Sequence, residues 1–209
     1  NKTLYGAVAY DQAFGYLANY DDAMPDNVDP KSEGGSYTVA EHKWDEAFGY
    51  FGARRDFLTP GDVGSCIDLT SEHNFGWASY ATKRDNDTEN IAYRNGVMFK
   101  ADIFNAFVAG RAIIHNEGTI DELAPHMATI RTRFEQLCAA NVVHYVHSVL
   151  NAMGDLTSTS GAMSSESENY NKYWSEMRGF IISLQYNVGE VSGGLTSAQL
   201  LSLIHISEP

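Results

Sequence analysis

One short stretch holds the side chains best suited to chemistry. Asp45 and Glu46 follow His42 by three and four residues, and on a helix this spacing brings an imidazole and two carboxylates together on one face. Such groups suit a divalent metal ion, or a histidine base oriented by an acid. The alternative interpretation is structural, because acidic residues near a helix N-terminus favour the helix dipole and charged residues mostly lie in solvent.

A second pair of imidazoles lies later in the chain. His144 and His147 are three residues apart in a segment that is apolar nearly all round. Two imidazoles on adjacent helical turns provide half of a metal or haem site. With Glu135, they are the groups that could complete a metal site begun by His42. Semi-buried, hydrogen-bonded histidines are the alternative.

The helix that would position His42 has a recognisable start, face and end. Thr38 and Glu41 have the spacing of a capping box, in which a hydroxyl and a carboxylate each satisfy a free N–H of the first turn. Gly52 is predicted to occupy the C′ position, at which the helix ends. Glu41 and His42 are predicted on the polar face, opposite an apolar stripe of Ala40, Trp44, Ala47, Phe48 and Phe51.

Similar periodicity predicts the other helices. Residues 4–20, 75–84, 91–115, 119–153 and 170–184 have apolar residues at helical spacing, and another helix begins near residue 196. Thr119 and Glu122 form a second capping box, and residues 85–89 are predicted to be an exposed linker. For helix 91–115 the predicted inner face is Val97, Ala101, Phe104, Val108 and Ala112, widened by Ile103, Phe107 and Ile114.

The sequence of residues 10–16 is similar to that of residues 44–50 at nearly every position. One interpretation is a pseudo-symmetric helix pair, in which Gly15 and Gly49 allow the two helices to approach closely. Coincidence is the alternative, since two copies do not make a repeat array.

These patterns predict an all-α fold, a mostly antiparallel bundle of five to six helices with long loops. The prediction rests on clear helical stripes, two capping boxes and the near absence of alternating strand patterns. With 209 residues and 44% hydrophobic residues, the chain can bury a substantial core. Residues 1–200 are therefore predicted to form a single helical domain, as a fragment of a larger one.

The net charge narrows the classes of binding partner, and the two cysteines raise the question of a disulfide. The net charge of −13 argues against nucleic acid and against anionic membrane surfaces. The sequence contains no transmembrane run and no signal peptide. Cys66 and Cys138 are one possible disulfide pair, but Cys138 falls on an apolar helix face and is predicted to be a buried free thiol.

The last nine residues, 201–209, resemble a translated sequencing adapter of the transposase type. They are predicted to be a non-native tail, so that His205 and Glu208 receive no functional role. Together with the opening at Asn1, the tail predicts a fragment that is truncated at both ends.

Several segments of the chain together match a known pattern: residues 41–52, Tyr80, Arg84-Asp85, Phe107, Gly110-Arg111-Ala112 and Val143-His144-Tyr145. In these segments the chain resembles a family of uncharacterised bacterial cell-envelope lipoproteins, known only as a domain of unknown function, and the resemblance extends over residues 4–200. It implies a cell-envelope location, periplasmic or anchored at the outer membrane, a lipid anchor on an N-terminal segment outside this sequence, and partner proteins in the envelope.

A remoter resemblance is to imelysin-like envelope proteins, which are helical, are often linked to iron acquisition and contain a G-x-H-x-x-E motif. This chain departs from the motif, because Asp45 stands where the motif has Glu and the preceding Gly is missing. The roles of the imelysin residues are therefore not carried over.

Three functional hypotheses follow. The first is an envelope binding protein that holds a metal ion or a metal-containing ligand near His42, Asp45 and Glu46. The second is a structural or interaction module without a catalytic site, and the third is a metal-dependent hydrolase that uses the same cluster. No fingerprint of a known enzyme class supports the third.

Overall fold

The fold is described from a computed structural model. The structure describes residues 2–18, 27, 35–55, 57–58, 74–86, 96–156, 165–187, 196 and 198–199. Cys66, residues 87–95 and the predicted tail 201–209 lie outside these ranges.

The described residues form helices and no strand. An N-terminal helical segment has three parts: α1 (Lys2–Leu4), a π-helical stretch (Tyr5–Tyr10) and α2 (Asp11–Ala18). It is followed by α3 (Val39–Phe51), α4 (Gly76–Asp85), α5 (Phe99–His115), α6 (Ile120–Leu156), α7 (Ser165–Ser183) and a 3₁₀ turn (Leu184–Asn187). With the N-terminal segment counted as one helix, the described part contains six helices, and the predicted all-α bundle is confirmed.

Both predicted capping boxes are present. The backbone N–H of Thr38 donates to Glu41 Oε2 over 2.9 Å, and the N–H of Glu41 donates back to Thr38 Oγ1 over 3.1 Å. Thr119 and Glu122 repeat this exchange at the start of α6. Gly52 ends α3 in the left-handed conformation with φ 84°, which a glycine adopts without the steric cost of a Cβ.

Neighbouring helices run mostly antiparallel. Along α6 and α7, Cys138 Sγ donates to the carbonyl of Phe180, and the ring of Tyr145 meets the ring of Tyr173, so residue numbers rise on one helix as they fall on the other. α5 and α6 are also antiparallel, since a short turn joins them and Arg133 on α6 reaches back to Asp102 near the start of α5.

The start of α5 differs from the prediction. Residues 96–98 are not helical, because Gly96 has φ 82° and Met98 is extended. The predicted exposed linker is also wrong at Asp85, the last residue of α4, whose carboxylate accepts from the N–H groups of Phe99 and Lys100 over 2.9 and 2.8 Å. α4 therefore caps the first turn of α5, a position where a negative charge also favours the helix dipole.

The inner face of α5 was predicted only in part. Val108 is 53% exposed and Ala112 is also exposed, contrary to the prediction. The residues buried along α5 are Phe99, Ile103, Phe104, Ala106, Phe107, Gly110 and Ile114.

The core is built mainly from aromatic rings. Phe134 on α6 is fully buried and lies within 6.1 Å, centroid to centroid, of the rings of Tyr10, Phe14, Phe51 and Trp77. These rings come from the N-terminal segment, α3 and α4. Phe134 thus joins α6 to these three parts of the bundle.

The two similar sequences, residues 10–16 and 44–50, contact each other in the structure. Tyr16 and Tyr50, which are equivalent positions, stack with their ring centroids 6.0 Å apart. The role expected for the glycines is wrong, because a Cβ added at Gly15 or Gly49 would have no neighbour within 4 Å. The stacked tyrosine rings, and not the two glycines, therefore contribute to the contact between α2 and α3.

Cys138 is a buried free thiol, as predicted, and burial raises the pKa of this thiol. Asn141, one turn further along α6, is also fully buried and its amide donates to the carbonyl of Leu137 over 2.8 Å. Among the described residues, no helix is both long enough and apolar enough to cross a membrane.

Candidate functional site

The site is built on the contact between α3 and α5. The ring of Trp44 lies directly over Gly110, where a Cβ would overlap it. Its indole N–H donates to the carbonyl of Phe107 over 2.8 Å, and the side chain is 1% exposed. Trp44 therefore fixes the spacing of the two helices, and Gly110 is required for its position.

Glu41 lies at the centre of the polar contacts. One carboxylate oxygen accepts from Arg111 Nη1 over 2.6 Å and lies 3.0 Å from Nδ1 of His115, while the other accepts from the N–H of Thr38. Glu41 is only 5% exposed, so its predicted place on the polar, solvent-facing side of α3 is wrong. Glu41, which belongs to the capping box of α3, therefore also connects α3 to the C-terminal half of α5.

The surroundings of Glu41 favour its charged form. Burial alone would raise its pKa, but hydrogen bonds from His115, Thr38 and Arg111 and the charge of Arg111 outweigh burial and lower the pKa below its ordinary value. Glu41 is consequently a fixed negative charge at neutral pH.

Asn27 joins the same ends of α3 and α5. Its amide N–H donates to the carbonyl of Ile114 over 2.7 Å, and its amide oxygen accepts from Thr38 Oγ1 over 2.8 Å. Asn27 is 6% exposed, so these contacts are shielded from water. A residue outside both helices thus completes the polar junction.

The three predicted ligands on α3 have different partners. Asp45 Oδ1 accepts from Arg111 Nε over 3.0 Å, which directs this carboxylate toward α5. His42 Nε2 lies 3.0 Å from Glu46 Oε1, and its ring stacks on Tyr37. Glu46 also accepts a hydrogen bond from Tyr16 of α2, which raises the pKa of that phenol. The structure brings His42 and Glu46 together and pairs Asp45 elsewhere.

The other predicted ligands lie on α6. His144 is half-buried next to Tyr145, His147 is exposed and Glu135 is buried, and all three take part in further contacts. Within the part of the chain that the structure describes, no three His, Cys, Asp or Glu side chains form a group that could hold a metal ion. The metal site remains a prediction.

A cleft opens beside the α3–α5 contact. Its volume is about 290 Å³, and its walls are largely apolar. Asp45 and Arg111 lie at its polar side, and Arg55, just after α3, adds a second cation. The remaining lining residues are Trp44, Phe48, Phe104, Phe107 and Val108.

The residues of α5 that complete this site were not predictable from the sequence. Arg111 and Gly110 were noted only in the family resemblance, and residue 115 only as the end of the predicted helix 91–115. Arg111 and Gly110 precede His115 by four and five residues, so all three lie on the side of α5 that faces α3. No pattern within α5 pairs them with residues of α3, which come about 70 positions earlier.

The fold and the cleft define an all-α bundle protein with an aromatic pocket between two antiparallel helices. The chain belongs to the family described as a domain of unknown function (DUF4856), whose family model matches residues 1–205. The match thus includes the first five residues of the segment predicted to be a non-native tail. No curated protein and no solved structure matches the chain.

Proposed function

We propose that this is a binding protein of the cell envelope that holds a small molecule with a flat apolar body and an anionic group. The observation on which the proposal depends is the α3–α5 cleft, which combines aromatic walls with two arginines. The envelope location rests on the resemblance noted from the sequence.

The apolar part of the cleft suits a ring. Phe48 meets Phe104 and Phe107 with centroids 5.9 and 5.4 Å apart and near-perpendicular planes, and Trp44 meets Phe107 in the same manner. Aromatic walls attract a further ring by stacking or edge contacts, in addition to the gain from burying apolar area. The volume, about 290 Å³, lies at the lower end of ligand pockets and favours a small molecule.

The two arginines have different roles. Arg111 is already paired with the carboxylates of Glu41 and Asp45, which fix its position. Arg55 is exposed and forms no ion pair with the described residues. Its guanidinium can therefore form a charge-assisted hydrogen bond to a carboxylate or phosphate of the ligand.

The test compares benzoate with benzamide, its neutral analogue, by ligand-observed NMR on the full chain. Benzoate is expected to bind about tenfold more tightly, the ratio that corresponds to one charge-assisted hydrogen bond. Arg55→Gln should remove this preference. Val108→Trp should abolish binding of both compounds, since Val108 is 53% exposed at the cleft and a larger side chain would fill it without disturbing the core.

Val146→Trp is the matched control, because Val146 lies on α6, is 36% exposed and does not line the cleft. It should bind benzoate as the wild-type protein does. Equal binding by the Val108→Trp variant would place the ligand elsewhere and contradict the proposal. Equal binding of benzoate and benzamide would contradict the anionic group of the proposed ligand together with the role of Arg55.

A metal ion is the second candidate ligand, and one observation favours it. His42 and Glu46 already lie 3.0 Å apart on one face of α3, as a two-ligand site would require. A third ligand would come from Asp45 after release from Arg111, or from a residue outside the described ranges. A metal-dependent hydrolase would need such a complete site as well.

Metal content measured by mass spectrometry tests this candidate. Near-stoichiometric metal in the wild-type protein, lost in His42→Ala but kept in His126→Ala, would support it. Absence of metal from all three proteins would exclude the metal candidate. If benzoate also fails to bind, a structural or interaction module of the envelope is the better description.

A further inference from the structure

The α3–α5 cleft extends along the two helices. Since α3 and α5 are antiparallel, Asp45 lies opposite Arg111, with Oδ1 3.0 Å from Nε, and Phe48 lies opposite Phe104, with ring centroids 5.9 Å apart. All four residues line the cleft. Arg111 follows Phe104 by seven residues, which at about 1.5 Å per residue is about 10 Å along α5. The cleft is therefore long enough for a ring with a substituent at each end.

Arg55 belongs to the end of the cleft that lies away from Asp45. It comes after the end of α3 and lines the cleft. Phe57, two residues further on, packs its ring against that of Phe104, with centroids 5.8 Å apart. This contact holds the chain after α3 beside the N-terminal half of α5, whereas Arg111 lies in the C-terminal half. The guanidinium of Arg55 and the carboxylate of Asp45 are thus at opposite ends of the cleft.

Asp45 can accept a hydrogen bond from a ligand. Its side chain is 56% exposed, and among the described residues only Arg111 hydrogen-bonds to the carboxylate, at Oδ1. A carboxylate has room for about four hydrogen bonds, so Oδ2 can take a donor from the cleft. Arg111 also pairs with Glu41 over 2.6 Å. Its positive charge is therefore shared between two carboxylates, which lowers its repulsion of a second cation at this end.

We propose that the ligand of the cleft carries two charges, with a cationic amine at one end of its ring and the anionic group at the other. This inference rests on the proposed function, which supplies the ring and the anionic group, and adds the amine. The ammonium group would donate a charge-assisted hydrogen bond to Asp45 Oδ2 while Arg55 binds the anionic group. The ring between them would lie along Phe48 and Val108, which line the cleft.

The separation of Asp45 and Arg55 restricts the class of compound. An α-amino acid has its ammonium and carboxylate groups on one carbon, so it can reach only one end of the cleft with both charges. A compound with the two groups on opposite sides of the ring can reach both ends at once. The cleft should therefore prefer ring compounds with separated charges over α-amino acids.

The test compares 4-methylbenzoate with 4-(aminomethyl)benzoate by ligand-observed NMR on the full chain. The two compounds share the ring and the carboxylate and differ in the ammonium group. The amine should bind about tenfold more tightly, the ratio that corresponds to one charge-assisted hydrogen bond. Phenylglycine, which has both charges on one carbon, should bind more weakly than 4-(aminomethyl)benzoate.

Asp45→Asn should reduce the ratio of the two affinities from about ten to about one, because the amide keeps an oxygen for Arg111 but loses the charge that attracts the ammonium group. Asp11→Asn is the matched control. Asp11 is exposed on α2 and does not line the cleft, and its substitution changes the net charge of the protein equally. This variant should keep the tenfold ratio.

Three outcomes would overturn the amine site: equal binding of the two benzoates by the wild-type protein, a tenfold ratio that survives Asp45→Asn, or a ratio lost equally in Asp11→Asn. Phenylglycine binding as tightly as 4-(aminomethyl)benzoate would contradict the placement of the charges at opposite ends. If 4-methylbenzoate binds and the amine adds nothing, the proposed function stands and only this inference fails. If neither benzoate binds, both fail.

Discussion

At the scale of single residues, Glu41 shows how one side chain can serve two purposes. It caps α3 through Thr38, and it also pairs with Arg111 and His115 of α5. The first contact lies within four residues of sequence, whereas the second bridges about 70 positions. Loss of the carboxylate should therefore weaken both the start of α3 and the junction between the two helices.

We predict that Glu41→Gln lowers the free energy of unfolding at pH 7 by about 1.5–3 kcal/mol, the range for a hydrogen bond to a charged group. The pKa of Glu41 is lower in the folded protein than its ordinary value of 4.5. Its contribution is thus fully present above pH 4.5 and is lost as the pH falls through the lowered folded value. Urea unfolding at pH 7, 5, 4 and 3 should show a steeper acid loss in the wild-type protein than in the variant.

Glu122→Gln is the control for this prediction. Glu122 caps α6 through Thr119 in the same way but is exposed. The variant should therefore be affected less than Glu41→Gln. Equal effects of the two substitutions would show that the contacts of Glu41 with α5 contribute nothing to stability.

The residues of the candidate site were predictable only where their contacts are local. The capping box of Thr38 and Glu41 and the pairing of His42 with Glu46 follow from spacing on one helix. The partner of Asp45 could not be predicted from spacing on one helix, because Arg111 is 66 residues away. Arg111 also competes with His42 for the carboxylate of Asp45. A guanidinium is charged at any pH the protein experiences, so it is the stronger partner.

At the scale of elements, hydrophobic periodicity predicted the positions of the helices in the sequence better than it predicted which side of each helix is buried. Helices α3, α4 and α6 agree with the predicted segments to within a few residues. α5 is apolar on a broad surface, so its sequence alone does not determine which side is buried, and Val108 and Ala112 were placed on the wrong side. Packing against Trp44 selects the face that contains Phe107 and Gly110. The π-helical stretch Tyr5–Tyr10 has no counterpart in the apolar pattern.

The contact between α3 and α5 gives an element-scale prediction. Gly110→Ala should lower the free energy of unfolding by about 1–3 kcal/mol, as expected for overpacking, because the new methyl group would overlap the ring of Trp44. The displaced indole should also lose its hydrogen bond to Phe107, which a changed tryptophan NMR resonance would report.

Gly49→Ala is the matched control, since a Cβ there meets nothing within 4 Å. The control should stabilise the protein by about 0.5–1 kcal/mol, the usual gain of Ala over Gly inside a helix. A stabilising effect of both substitutions would show that Trp44 moves aside at no cost and that Gly110 does not set the spacing of the helices.

At the scale of the whole molecule, aromatic contacts connect the cleft to the helices on the other side of the core. The rings of Tyr80, Trp77, Phe134, Phe51, Phe107 and Trp44 follow one another with centroid distances between 5.4 and 6.3 Å. Tyr80 packs against Phe180 of α7 at one end of this series, and Trp44 lines the cleft at the other. Phe134 lies in the middle of this series, so the described helices share one core and should unfold together.

The central position of Phe134 leads to a prediction for the whole fold. Phe134→Ala should lower the free energy of unfolding by about 3–5 kcal/mol, since it removes a fully buried ring and leaves a cavity. Phe75→Ala should have little effect, because Phe75 is 68% exposed. Unfolding followed by circular dichroism and by tryptophan fluorescence should give one shared midpoint in each protein. Separate midpoints in the wild-type protein would show that the helices around Tyr80 and those around Trp44 are independent units, and Phe134 would then stabilise only one of them.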